Sequence, residues 1–119
     1  MNLANSGSDP GRILGTLGLA MKAGMLVSGE FMTEKAIKTG EARLIVVADD
    51  ASPGTKKKFT DSCKYYGVPI IFTADKETLG QSLGKEYRAS LAVIDEGFAT
   101  SIRKKFTGEV QQYGKNENS

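Results

Sequence analysis

With 119 residues, a net charge of +2 and 39% apolar composition, the chain is long enough to bury one hydrophobic core without disulfides or a structural metal. Its apolar runs are too short to span a bilayer, residues 1–9 lack a cationic stretch followed by an apolar one, and the lone Cys63 can form no internal disulfide, so a cytoplasmic protein is expected and a membrane span is excluded. The balanced charge does not by itself announce nucleic acid; only the local clusters Lys56 to Lys58 and Arg103 to Lys105 can, and the second reads as a solvated helix face.

In chain order, Asp9 followed by Pro10 predicts an N-cap and a first helical residue. Ile13, Leu14, Leu17 and Met21 then recur at helical spacing, Gly15 and Gly18 allow another backbone to approach, and Gly24 ends the helix. Met25 to Ser28 is a short strand. A second helix opens after Ser28 and Gly29, carries Lys35 and Lys38 along one side, and stops at Gly40. Leu44 to Ala48 is an unbroken apolar run rich in β-branched residues, which suits a strand covered on both faces.

A polar loop from Asp49 leads into a third helix, Thr55 to Tyr66, with Phe59, Cys63 and Tyr66 on its inner side and Gly67 at its end. Pro69 opens a strand, Ile70 to Phe72, where its missing N–H does least harm. Asp75 or Thr73 caps a short helix that buries Leu79 and Leu83 and closes at Gly84; a charged loop, Lys85 to Arg88, precedes the last strand, Ala89 to Ile94. The final helix, Glu96 to Phe106, turns Phe98, Ile102 and Phe106 inward. Helices alternating with short strands predict an α/β fold, a three-layer α/β/α sandwich around a four-stranded, mainly mixed sheet. Residues 10–107 form its single domain, between a flexible tail at 1–9 and another at 108–119, whose polar composition offers too little apolar surface to order it.

Enzyme signatures are absent: without histidine there is no Ser/His triad, no cysteine–histidine pair and no plausible zinc site, so neither metal nor cofactor is expected. Cys63 reads as a core filler. The carboxylate pairs Asp49 with Asp50 and Asp95 with Glu96 stand at strand ends, yet they equally serve a helix start or a turn before Pro53. GRILGTLG has the wrong glycine spacing for a phosphate loop. Three loops, Ser28 to Phe31, Asp49 to Lys58 and Gly84 to Arg88, could instead converge at one sheet edge, bringing together helix N–H donors, the charges of Lys35 and Lys38, and Tyr87 as a stacking surface. The plainer alternative buries Phe31 as a hydrophobic staple, pairs Glu34 with Lys38 and leaves Tyr87 half exposed.

From about Arg12 to Phe106 the chain resembles the kink-turn RNA-binding ribosomal protein family, known from the large-subunit protein seven-Ae. The resemblance lies in Gly29 with Lys35 and Ala36, LIVVADDASP at Leu44 to Pro53, LGQSLG at Leu79 to Gly84, and LAVI at Leu91 to Ile94. VSGE at Val27 to Glu30, KYYGVP at Lys64 to Pro69, LGKEYR at Leu83 to Arg88 and DEGFA at Asp95 to Ala99 are similar to the bacterial YlxQ-like subgroup. The resemblance implies an α/β/α sandwich that grips sharply bent RNA. The family motif runs Gly, any residue, Asn, Glu, two of any kind, Lys, and its Asn and Glu read guanine edges; here Phe31 and Met32 hold those two positions.

The resemblance and the residues together imply a non-enzymatic, cytoplasmic protein that binds structured RNA of the kink-turn kind, with Gly29, Glu30, Phe31, Met32, Lys35, Lys38, Lys85, Glu86, Tyr87 and Arg88 as its contact residues. The alternative is a protein-interaction module in which Phe31, Met32 and Tyr87 make an apolar patch. Because no histidine and a single thiol are available for metal, adding a chelator to purified protein is expected to leave its melting temperature unchanged. A shift of several degrees would contradict that expectation.

Overall fold

The computed structural model describes residues 10–106, 108 and 110–112, and alternates helix with strand throughout. The order is α1 (Pro10–Lys22), β1 (Leu26–Ser28), α2 (Glu30–Lys38), β2 (Leu44–Val47), α3 (Pro53–Tyr66), β3 (Ile70–Phe72), α4 (Lys76–Ser82), β4 (Ser90–Val93) and α5 (Glu96–Lys105). The strands form one mixed sheet in the order β1-β4-β2-β3. β4 runs antiparallel to both β1 and β2, whereas β2 and β3 are parallel.

Every residue of Leu44 to Ala48 is fully buried, because successive side chains of a strand leave opposite faces and both faces are covered. Leu44 and Val46, with Leu91 and Val93 of β4, meet Ile13, Leu17 and Ala20 of α1, Leu79 of α4, and Ile102 of α5. Ile45, Val47 and Ala92 face the other way, onto Ala36 and Ile37 of α2 and Phe59 and Cys63 of α3. The expected α/β/α sandwich is therefore present, with a separate apolar cluster on each side of the sheet.

Local chemistry accounts for most of the boundaries. Gly24, Gly40, Gly67 and Gly84 all take positive φ where the sequence places helix ends. Asp75, not Thr73, caps α4, its carboxylate accepting from the Thr78 N–H at 2.7 Å. That hydrogen bond, with help from the Thr78 hydroxyl, holds the Asp75 carboxyl below the usual carboxylate range. The Asp9 cap expected for α1 lies outside the described residues.

Several expectations change. α3 begins at Pro53, two residues early, because the Ser52 hydroxyl accepts from Thr55 N–H at 3.1 Å and proline suits the first helical position. Tyr66 does not join Phe59 and Cys63 in the core; at the last residue of the helix its ring stands 43% exposed and meets Tyr65 edge to face. Of Gly15 and Gly18 in α1, only Gly18 is approached, by the Ser82 carbonyl. The tail expected from residue 108 is tied down further on: Ile70 and Gln111 exchange two backbone hydrogen bonds of 3.0 Å, and Val110 packs on the core. That pairing covers part of the free edge of β3.

Because Val46 is fully buried among apolar side chains, Val46→Asp places a carboxylate where it has no partner, at a cost of several kcal/mol against a total stability of about 5–15 kcal/mol. The expected outcome is loss of the cooperative thermal transition by circular dichroism. A melt near the parent's would mean that the strand is not buried as described.

Candidate nucleic-acid interface

β1 and β2 run toward the same end of the sheet from which β4 starts, since Ser28 lies opposite Leu91 and Val47 opposite Ser90, and parallel β3 finishes there as well. The loops after β1, β2 and β3 and the loop before β4 consequently meet at this end of the strands. The sequence placed that convergence at a sheet edge; antiparallel β4 instead brings its own preceding loop into the middle of the group.

Hydrogen bonds between the loops fix their positions. Gly29 N–H donates to the Ser90 carbonyl at 3.0 Å, Ala48 N–H to Ala89 at 2.9 Å, and Asp49 N–H to Ala74 at 2.7 Å. Lys76 N–H donates to the Asp50 carboxylate at 2.9 Å, and the Arg88 guanidinium donates through Nε to the Ser28 hydroxyl at 2.8 Å. Asp50 and Asp95 thus serve backbone N–H groups, Asp95 accepting from Phe98 at 2.9 Å.

The start of α2 is the open part of this end. Gly29 sits at φ 94° and ψ 159°, a region that only glycine occupies readily, and no side chain caps the helix. First-turn N–H groups are left for a ligand or water. The buried side of α2 is Thr33, Ala36 and Ile37, pinned where the Ser90 hydroxyl meets that of Thr33 at 3.3 Å. Phe31, two residues before Thr33, points the opposite way and is 76% exposed, so it is no core staple. Met32 is 39% exposed, and Lys35 lies in solvent without an ion pair among the described residues.

Other charges are partnered. Glu30 pairs with Lys58 of α3 at 2.7 Å, a hydrogen bond that raises the lysine above its ordinary pKa. Lys38 pairs with Glu34 at 3.4 Å, and Glu34 also accepts from the Ser62 hydroxyl at 3.0 Å. Across the site, Lys85, Glu86 and Tyr87 are exposed, while Arg88 is half-buried and acts as the anchor of its loop. The backbone of that loop rests on Gly80: a Cβ there would come within 2.7 Å of the Glu86 carbonyl and 2.8 Å of Tyr87 Cα. Cys63, buried beneath α3, has its thiol pushed up to about 12, mainly by desolvation and further by Glu34, which leaves it unreactive at neutral pH.

The structure thus brings nine of the ten expected contact residues toward one end of the fold, while Lys38, the last residue of α2, stands farther along that helix; three of the ten have internal work, Arg88 on Ser28, Glu30 on Lys58 and Lys38 on Glu34. Lys58 and Gly80 are the additions. The cluster at Lys56 to Lys58 gave a hint of the first, but a pairing 28 residues apart has no local signal. Gly80 stands in the sequence only as part of LGQSLG, one of the stretches that carry the family resemblance.

A mixed sheet between two helical layers, with an uncapped helix start, free cations and exposed rings gathered at the strand ends, defines an α/β/α binding domain. The chain belongs to the Ribosomal protein L7Ae/L30e/S12e/Gadd45 family, which it matches over residues 11–103. Within that family it is YlxQ-like. It is 45% identical to the RNA-binding protein YlxQ of Bacillus subtilis over 86 residues, covering 72% of this chain and 86% of that one. Against the RNA-binding protein YlxQ of Enterococcus faecium it is 36% identical, covering 82% and 93%. Among solved structures it superposes on a Bacillus halodurans protein of unknown function with a TM-score of 0.76 at 34% identity, covering 79% of this chain and 95% of that chain. The Giardia lamblia 15.5kD RNA binding protein shares the fold, with a TM-score of 0.69 at 19% identity, covering 78% and 80%.

Two helical glycines make a matched test of the loop support. Gly15→Ala meets nothing within 4 Å and is expected to stabilise α1 by about 0.5–1 kcal/mol. Gly80→Ala gains the same propensity, but its contacts with the Glu86 and Tyr87 backbone must open, at roughly 1–3 kcal/mol. Its melting temperature is expected to fall and the amide resonances of residues 84–88 to move. If both variants melt higher than the parent, the loop does not rest on Gly80.

Proposed function

We propose that this protein is a non-enzymatic, cytoplasmic RNA-binding protein that engages structured RNA of the kink-turn kind through the loop end of the sheet. The observation that carries the reading is the start of α2: a glycine-only conformation, no side-chain cap, and an exposed Lys35 one turn along with no ion pair among the described residues. Free N–H groups and a nearby cation suit phosphate or a base edge. The names of the YlxQ relatives support the same reading. Phe31 and Met32 replace the Asn and Glu of the family motif, so two directional base contacts, each worth about 1–3 kcal/mol, are absent. Weaker or differently selective binding is the expected result. Lys85 supplies charge for phosphate on the opposite loop, and Tyr87 a ring.

A second reading has its own observation, since Phe31, Met32 and Tyr87 are all exposed and could dock a protein. Salt separates the two. Affinity for RNA falls steeply with added salt as counterions are released, whereas apolar docking barely responds.

Lys35→Ala is expected to fold and melt like the parent, because the side chain lies in solvent. In titrations against kink-turn and plain duplex RNA at two salt concentrations, it should lose about 1–3 kcal/mol. A larger loss on the kink-turn would mean that the lysine meets a base, and an equal loss on both that it meets phosphate. Parent-like affinity on every RNA would remove α2 from the interface and favour the protein-docking reading.

A further inference from the structure

Phe31, Lys35 and Lys38 stand one above another on the outer face of α2, opposite the buried Thr33, Ala36 and Ile37. With Glu34, Thr39 and Lys58 they line a cleft of about 330 Å³ between α2 and α3. That lies at the small end of the roughly 300–1,000 Å³ typical of ligand pockets, room for a single planar group. Its make-up is unusual for a solvated helix face. The largest apolar element is Phe31, 76% exposed, and three lysines share the lining with it.

These cations are unequal. Lys38 and Lys58 share charge with Glu34 and Glu30, whereas Lys35 has no ion pair among the described residues. Glu34, the one carboxylate in the lining, is turned toward Ser62 and Lys38. The cleft is therefore net positive around an open aromatic face. An apolar protein anchor seated here would strip water from ammonium groups with nothing offered in return. A nucleotide answers both features, offering a π-face for the ring and phosphates for the lysines.

We propose that Phe31 is a stacking platform for one unpaired base of bound RNA, whose flanking phosphates are met by Lys35, Lys38 and Lys58. The assignment rests on the RNA-binding reading above and names its ligand more closely, as a bulged or looped-out nucleotide. A phenyl ring has no hydrogen-bonding group, so it cannot read a base edge and tolerates any base that stacks. Where the family motif has groups that discriminate, this chain has one that detects whether a base is free. The identity of the bulged base should matter little, and its presence should matter a great deal.

The test uses the full chain and an RNA hairpin carrying a single bulged nucleotide, the same hairpin with an abasic site at the bulge, and the fully paired hairpin, each titrated by fluorescence anisotropy. The parent is expected to bind the base-bearing bulge about tenfold or more tightly than the abasic one. Phe31→Ala should lose that difference while keeping its affinity for the paired hairpin, and Phe31→Trp should restore it. Phe31 is mostly exposed and alanine is a good helix former, so the variant should melt no lower than the parent. Equal binding of both bulges by the parent, or an equal loss by Phe31→Ala on all three RNAs, would overturn the stacking role and leave the RNA-binding reading in place. A parent that binds none of the three would overturn both.

Discussion

β2 has no free face. Leu44 to Ala48 are fully buried, Leu44, Val46 and Ala48 under α1, α4 and α5 and Ile45 and Val47 under α2 and α3, so neither surface of the central sheet can meet a ligand. Function is pushed to the ends of the strands, where backbone groups leave the ladder. Strand direction then decides what gathers at each end. Because β4 alone runs against its neighbours, the loop before it enters the same end as the loops after the other strands. A fully parallel sheet would have sent Tyr87 and Lys85 to the opposite end of the molecule.

Holding four loops at one end requires specific supports, and these are mostly polar or steric. The Arg88 guanidinium reaches across to Ser28, tying the loop before β4 to the end of β1. Asp50 holds the first N–H of α4, which joins the loop after β2 to the helix after β3. Gly80 lets the Glu86 and Tyr87 backbone lie directly on α4. Ala74 adopts a φ of 64°, uncommon for a residue with a side chain, while its carbonyl accepts from Asp49 N–H. Such strain is held only where the surroundings over-determine it, which agrees with a loop cluster fixed before any ligand arrives. A preorganised surface loses less ordering entropy on binding.

The sequence made the layers legible because periodicity is a local property. The unbroken run LIVVA announced a strand covered twice, Phe59 and Cys63 announced the inner side of α3, and terminal glycines marked the helix ends. Tyr66 failed by the same logic: helical spacing gives a direction but not whether anything lies in that direction. Phe31 stood open in the sequence, a contact residue in one reading and a buried staple in the plainer one, and the position of Thr33 beneath Ser90 shows that the ring faces out. Convergence of the loops was inferred, yet its true location depended on the antiparallel course of β4, which no local pattern encodes. Pairings such as Glu30 with Lys58 and Ser28 with Arg88 join distant stretches and had no signature at all.

The charge distribution shows why composition understated this surface. A net charge of +2 suggests near neutrality, but several acids already have work: Asp50, Asp75 and Asp95 accept from backbone N–H groups, and Glu34 accepts from Ser62. Such carboxylates hold helix starts and loops together, where the positive end of the helix dipole favours them. The lysines of α2 and of the loop before β4 remain in solvent. Over distances shorter than the screening length of about 8 Å at physiological salt, a ligand at the loop end meets those nearby cations and not the average of the chain. Local placement thus sets the field: Lys35 and Lys85 stand in solvent at the loop end, where the exposed Glu30 is already paired with Lys58 and Glu86 remains in water.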